Sequence, residues 1–357
     1  MRPLSTETPL GKLSAAEFER VIAPALARGR EEVLIGPRIG HDCAIVRIGA
    51  GRVLALTTDP LSLVPALGPA ASARLSCHLV ASDLCTSGIP PAYVTVDLNL
   101  PPHMAESELA EYWQAMAAEW TQIGVEVVAG HTGRYAGCDY SILGAATLLG
   151  VGDEGRYLSP SMARPGDCVI VTKGCAIEAA AIAAHLFPRR LGARLDPEGL
   201  ARARALLDQV SVVADCRAAL GVGVHERGVT ALHDATEGGV LGGLLELARA
   251  SGHDLRVERA KIPLTPEARA ACETFGIDPY WTLAEGALIV TVLPEFAAAV
   301  MAALADSGIA AAEVGEVVRG AGNLWLTEPD GAVRTLVEAE PDPYWEAYGR
   351  AVAEGWS

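Results

Sequence analysis

Four short segments of the 357-residue chain set an Asp or a His beside small residues where a strand or helix ends: Gly40-His41-Asp42-Cys43-Ala44, Thr57-Thr58-Asp59, Ser82-Asp83 and Gly130-His131-Thr132. At an element boundary the backbone can aim a carboxylate into a cleft rather than along a face. If the segments converge, Asp42, Asp59 and Asp83 offer the hard oxygen ligands magnesium prefers, and phosphate oxygens with water complete its shell. His41 and His131 could add a neutral nitrogen for a softer divalent metal or for a substrate oxygen. Each Asp alone also reads as a turn or capping residue, and each His as a hydrogen-bonded turn residue. Their joint occurrence points to a metal and the anion it carries.

A fifth segment, His233-Asp234-Ala235-Thr236-Glu237-Gly238-Gly239, ends one strand and opens a helix. Gly238 and Gly239 would let backbone amides approach an anion at the positive helix end. A tight strand-to-helix turn capped by Thr236 or Asp234 has the same spacing. Lys173, at the end of an apolar strand, either meets a phosphate or snorkels at the surface. Trp113, Met116 and Trp120 read as core packing.

Composition narrows the partners. The net charge of −16, from 28 basic and 44 acidic residues, excludes a nucleic-acid surface. Only three lysines occur, and no Gly-x-x-x-x-Gly-Lys-Ser/Thr loop, so a bound nucleotide would need cations to neutralise its phosphates. No apolar run reaches the roughly 18 to 20 residues of a membrane span, and the N-terminus has no apolar targeting segment. A cytoplasmic protein with no membrane partner is expected. Eight cysteines without a Cys-x-x-Cys pair read as reduced, mostly buried thiols.

The elements that must position these residues follow from periodicity and punctuation. Ser14-Ala15-Ala16-Glu17 is a capping box that starts a helix running to about Arg28. Strands are expected over 52–58 (closed by Asp59-Pro60), 93–100, 125–129 and 141–149, with helices over 70–87 and 106–123. After a break at 152–166, strands are expected over 168–172, 229–232, 255–259, 288–293 and 313–318. Helices fall at 177–186, 197–220, 240–250, 266–275 and 295–307. The arrangement is α+β without an internal repeat, in two domains, residues 1–155 and 156–340, followed by a tail, 341–357.

In order and spacing these segments, with Gly88-Ile89-Pro90 and Arg164-Pro165-Gly166-Asp167, resemble the aminoimidazole ribonucleotide (AIR) synthetase superfamily. That superfamily includes the HypE hydrogenase-maturation dehydratases, thiamine monophosphate kinases and selenophosphate synthetases. Ile262-Pro263, Ala271-Cys272-Glu273, Gly276-Ile277-Asp278-Pro279, Glu285-Gly286 and Gly315-Glu316-Val317 are similar to the HypE-like branch, over about residues 10–320 in all.

The resemblance implies a two-domain PurM-like fold, with N-terminal sheets paired across a homodimer, a C-terminal α/β sandwich, and a cleft for ATP with magnesium or another divalent metal. It also implies transfer of the γ-phosphoryl group to a substrate oxygen, often an amide-type carbonyl, with release of ADP. Carried over by position, Asp59, Asp83 and Asp234 are the catalytic carboxylates, and Asp42, Asp59 and Asp83 hold metal, with His41 and His131 standing where many members carry Asp. Thr57, Thr58, Gly130, His131, Thr132, Thr236, Gly238 and Gly239 would line the nucleotide and substrate. The acceptor is a small molecule or a protein-borne group. A small-molecule kinase of the thiamine monophosphate kinase type, and a catalytically silent nucleotide- or metal-binding maturation partner, are the alternative readings. HypE proper ends in a carbamoyl-carrying cysteine, whereas here no cysteine follows Cys272.

Overall fold

Alternating apolar and polar residues build a first sheet of six strands in a computed structural model that describes residues 11–26 and 29–357. They are β1 (Val33–Ile35), β2 (Ala44–Gly49), β3 (Arg52–Leu61), β4 (Tyr93–Leu100), β5 (Glu126–Arg134) and β6 (Gly144–Asp153), in the order β1-β2-β3-β6-β4-β5. Only β4 and β5 pair in parallel. One face, including Val94, Val96, Leu98 and Leu100 of β4, packs on the helices Pro69–Thr86 and Glu106–Ile123. Tyr112, Met116 and Trp120 form the buried stripe of the second helix, while Trp113 is 39% exposed. The stripe runs i, i+4, i+8, so Trp113 lies about 100° round the helix from the core.

A second sheet of seven strands comprises β7 (Cys168–Thr172), β8 (Val229–Ala235), β9 (Asp254–Glu258), β10 (Ala287–Val292), β11 (Ala311–Val318), β12 (Leu324–Thr327) and β13 (Val333–Leu336). Its order is β13-β12-β9-β11-β7-β10-β8. Every residue of β8 and β10 is buried, because the helix Gly239–Ser251 covers one face and the helices Val213–Val222 and Pro294–Asp306 cover the other. This is the α+β, two-domain architecture expected, with a layered C-terminal sandwich. Among the described residues no helix is long and apolar enough to cross a membrane.

Several expected bounds shift for identifiable reasons. The capping box at Ser14 is present, but α-helix lasts only to Glu17 and gives way to a π turn, Phe18–Ile22, and a 3-10 turn, Ala23–Ala25. Pro24 has no N–H to continue the ladder; Arg28, the expected end, lies outside the described residues. β3 continues through Asp59-Pro60 to Leu61, opposite Gly144. Its pairing with β2 stops at Leu56, so Pro60 sits where one edge of the strand has no ladder to supply. The helical stretch 197–220 divides into Pro197–Ala205, a 3-10 turn Leu206–Gln209, and Val213–Val222. The strands β1, β12 and β13 and the helix Tyr344–Ala353 are additions.

The helix Pro69–Thr86 joins the two sheets. Ser82 Oγ accepts from the Val212 amide at 3.1 Å, and His78 bridges Ser211 and Glu119 at 2.8 and 3.0 Å. Asp83 is carried on this joint.

Candidate active site

Four aspartates from four elements converge between the sheets: Asp42 from the turn before β2, Asp59 from β3, Asp83 from the joint helix and Asp234 from β8. Gly40 makes the first approach feasible. Its φ is +72°, and a Cβ there would stand 2.7 Å from the Glu246 carbonyl of the covering helix. Thr57 donates to Asp83 Oδ2 at 3.0 Å, and the Cys43 thiol donates to the Asp83 carbonyl at 3.0 Å. Ligand atoms of Asp42, His233 and Asp234 lie within 4.8 Å of one another.

His233 is better read as a cation than as a ligand. Its Nδ1 meets Asp42 at 2.9 Å and its Nε2 meets Glu246 at 3.0 Å, with the ring buried. Burial opposes the charge, yet Asp42 and Glu246 hold the imidazolium well above its usual range. Glu246 is in turn held down to about 2, despite burial, by Lys12 and His233. Both nitrogens are committed, so Asp42 is aimed and Asp234 is left free.

Both Asp234 oxygens are buried without a hydrogen-bond partner. Burial, then the neighbouring Asp42 charge, pushes Asp234 up to about 8. Asp83 is raised well above the carboxylate range by burial and by Asp234, Asp59 and Asp42 in turn. Asp59 is pushed up to about 6 by burial, with Glu237 adding and Lys12 opposing. Orphaned carboxylate oxygens repelling one another at hard-ligand sites are what a divalent cation relieves, so Asp42, Asp234, Asp83 and Asp59 fit magnesium.

The remaining predicted residues divide. His41 borders the cluster, with Nδ1 at 3.2 Å from the Ile39 carbonyl and Nε2 buried without a partner; burial holds it neutral. Thr236 and the two glycines are beside it, but the two glycine amides are in use. The Gly238 amide donates to Asp342 Oδ2 at 2.9 Å, the Gly239 amide to the Thr236 carbonyl at 3.1 Å, and no side chain caps the helix. The anion at this helix start is therefore the chain's own Asp342. Thr58 points to the opposite face of β3, bonding Ala146 O at 3.1 Å.

Gly130, His131 and Thr132 lie on β5, three strands from β3 and hence about 14 Å away, where His131 meets the Tyr135 hydroxyl at 2.7 Å. Within the chain they do not join the aspartates. Lys173 neither meets a phosphate nor snorkels: it is buried against Asp215 at 2.9 Å and the Ser211 carbonyl at 2.7 Å.

Sequence reasoning gave no role to His233, Glu246, Glu178, Glu237, Glu285, Asp342 and Lys12. Glu178 is pushed up to about 8 by burial and then by Glu237, Asp342 and Asp59; Glu285 is raised well above its range by burial and then Asp234. A carboxylate whose folded value exceeds its unfolded one binds a proton on folding, so its burial weakens the fold as pH rises between the two values. The metal-free protein is thus expected to melt several degrees lower at about pH 8.5 than at about pH 5.5, and magnesium should flatten the difference. A melting temperature that rises over this range would contradict the cluster.

Residues 40–151 match the family model for the N-terminal domain of AIR synthase related proteins, and residues 164–325 match its C-terminal domain. Carbamoyl dehydratase HypE of Rhizobium leguminosarum bv. viciae is 29% identical over 289 residues, 79% of this chain and 78% of the relative. A crystal structure of a HypE–HypF complex aligns with TM-score 0.73 at 23% identity, over 91% of this chain and 100% of that one. HypE in complex with ATP aligns with TM-score 0.66 at 23% identity, over 93% and 94%. At these identities the structural likeness is one of fold.

Proposed function

The chain belongs to the AIR synthase related proteins, and from that premise we propose that it binds ATP with a divalent metal and transfers the γ-phosphoryl group to an amide-type oxygen of a separate acceptor, releasing ADP. One observation carries the reading: Asp42, Asp59, Asp83 and Asp234 converge from both domains with the Asp234 oxygens unpartnered. Phosphoryl transfer asks a protein for positioning and charge neutralisation more than for covalent help. When bound, the metal would neutralise the phosphates. Asp42 and Asp234, with Asp83 and Asp59, would hold it; His233 fixes Asp42 and Thr57 fixes Asp83. In the transfer the acceptor oxygen bonds to the γ-phosphorus, the bond to the β,γ-bridging oxygen breaks, and ADP leaves. The ATP-bound HypE structure of the same fold supports the assignment.

The packing of the tail supports a separate acceptor. Trp356 stacks on Phe275 at 5.3 Å with the Arg190 guanidinium 4.5 Å from its centroid. A homodimer, working in the cytoplasm, completes the proposal. All of β5 except Gly133 is exposed, including Val127 and Val128, and an uncovered apolar edge strand invites a second chain.

Products of labelled ATP test this reading. ADP formed in proportion to an amide acceptor is expected, with free phosphate as the O-phosphorylated amide then expels phosphate together with an N–H proton, a net dehydration. A stable phosphorylated acceptor would make the protein a kinase, and ATP binding without ADP under magnesium, manganese or zinc would make it a silent partner.

A further inference from the structure

On a chain of net charge −16 one stretch gathers arginine: residues 189–204 carry five, against Asp196 and Glu198. Part of that stretch faces the helix Pro266–Phe275 across an open groove. The groove has two adjoining parts, of about 670 and about 280 Å³, with Ala193 and Arg194 lining both. Three guanidiniums line it, Arg190, Arg194 and Arg269, against one carboxylate, Glu273. Other acidic side chains of the neighbourhood are committed elsewhere. Asp196 accepts from the Gly199 amide at 2.7 Å, Glu267 from Arg202 Nε at 2.6 Å and Glu354 from Trp356 Nε1 at 2.9 Å.

The guanidiniums are presented rather than consumed. Arg194 meets Glu273 at 3.2 Å, but both side chains are about half exposed, so the pair is weak and a better-placed anion displaces it. Arg190 sits 4.5 Å from the centroid of Trp356, a contact that restricts the side chain while leaving N–H donors for a carboxylate. Arg269 has no ion pair among the described residues. Beneath these groups the floor is apolar. Leu195 and Leu264, both half-buried, pack on the cluster around Phe187 and Phe275, so the core holds the floor in place, and Pro266 extends it.

An apolar floor and a basic rim ask different things of one ligand. A free phosphate or a nucleic acid satisfies the arginines and leaves the leucines wet; a neutral apolar ligand does the reverse. The groove is also long and open, so a compact small molecule would bury little of itself there. A polypeptide segment carrying both carboxylates and apolar side chains meets both demands. Screening acts over about 8 Å at physiological ionic strength, so a docked segment feels the three guanidiniums and Glu273 rather than the charge of the whole chain. We propose that this groove docks an acidic, amphipathic segment of a partner polypeptide, with its carboxylates on Arg190, Arg194 and Arg269 and its apolar side chains on Leu195, Leu264 and Pro266. The proposal stands apart from the phosphoryl-transfer reading, since none of these residues belongs to the aspartate site.

A fluorescein-labelled amphipathic peptide of glutamate and leucine is the probe, read by anisotropy on the full chain at physiological salt. A dissociation constant of about 100 µM or tighter is expected. The same peptide with lysine for glutamate, or with serine for leucine, should bind at least about tenfold more weakly, since one charge-assisted contact or a few buried methyl groups suffice for that. Arg269→Glu and Arg194→Glu should each weaken binding by about tenfold. Arg52→Glu, the same charge change on an exposed arginine of β3, should leave it unchanged. Arg269 and Arg194 are exposed, so thermal melts of their variants should stay close to that of the native chain. No binding at about 1 mM, equal binding of the lysine peptide, or an affinity that survives both Arg269→Glu and Arg194→Glu overturns the proposal. So does a serine peptide that binds as tightly, which would make the groove a plain anion site. Sedimentation covers the remaining case: self-association of the native chain that Arg269→Glu abolishes would seat a second copy in the groove and overturn the assignment to a partner.

Discussion

Asp59→Asn is expected to lower ADP release from magnesium-ATP by about a hundred- to a thousandfold, while the protein stays folded and melts no lower than the native chain. The two halves of that expectation have one cause. Asp59 stands on β3 between the Lys12 side, which favours its charge, and Glu237, which opposes it, and burial lifts it to about 6. Near neutral pH it is still mostly ionised, as a metal ligand must be. Without metal the same charge is a liability, because it also lifts Asp83, Glu178 and Glu285. Asparagine keeps the shape and removes the charge, so the metal-free fold loses a repulsion while the loaded site loses a ligand. The signature is low turnover, weaker metal-dependent ATP binding and an unchanged or raised melting temperature together. Native turnover in Asp59→Asn would remove the aspartate cluster from the chemistry.

What the sequence disclosed depended on whether a residue's role is local. The helices 106–123, 177–186 and 266–275 and the strands 93–100 and 168–172 appear at their expected bounds, because apolar spacing and flanking glycines or prolines act within one element. β12 and β13, four residues each at the edge of a sheet, carry too little pattern to be seen. The aspartates were legible for a local reason: each follows a small or polar residue within three residues of an end of its element.

His233 and Glu246 were not. They sit on a buried strand and its covering helix, and their meaning arises only when the Gly40 turn of the other domain brings Asp42 against them. Glu178 did leave a trace, as the lone acidic side chain in a helix otherwise made of Ile, Ala, His and Leu, all but His185 and Leu186 of it buried. Conversely, Gly130-His131-Thr132 reads as a site motif yet stands on an exposed strand, since sequence spacing says nothing about which side of a sheet is covered. Lys173 misled for a backbone reason: its φ of +55° turns the side chain inward to Asp215.

The largest loss of stability should come from His233→Ala, about 3–5 kcal/mol at about pH 7.5 by denaturant melting. The imidazolium lies between Asp42 and Glu246 with both nitrogens bonded. Its removal leaves two carboxylates facing each other across the space the ring filled. The pH dependence follows from the directions of the shifts. His233 is raised in the folded state, so its contribution is complete below the unfolded value of about 6.5 and fades only as pH climbs through the raised one. The gap between variant and native should therefore be widest below about pH 6.5 and narrow as pH climbs through the raised value. Function should fail in parallel, because Asp42 without its imidazolium is free to swing, and metal affinity is expected to drop by about ten- to a hundredfold. A His233→Ala chain as stable as the native one at neutral pH would mean that the bridge neither holds the two domains together nor aims Asp42 at the metal.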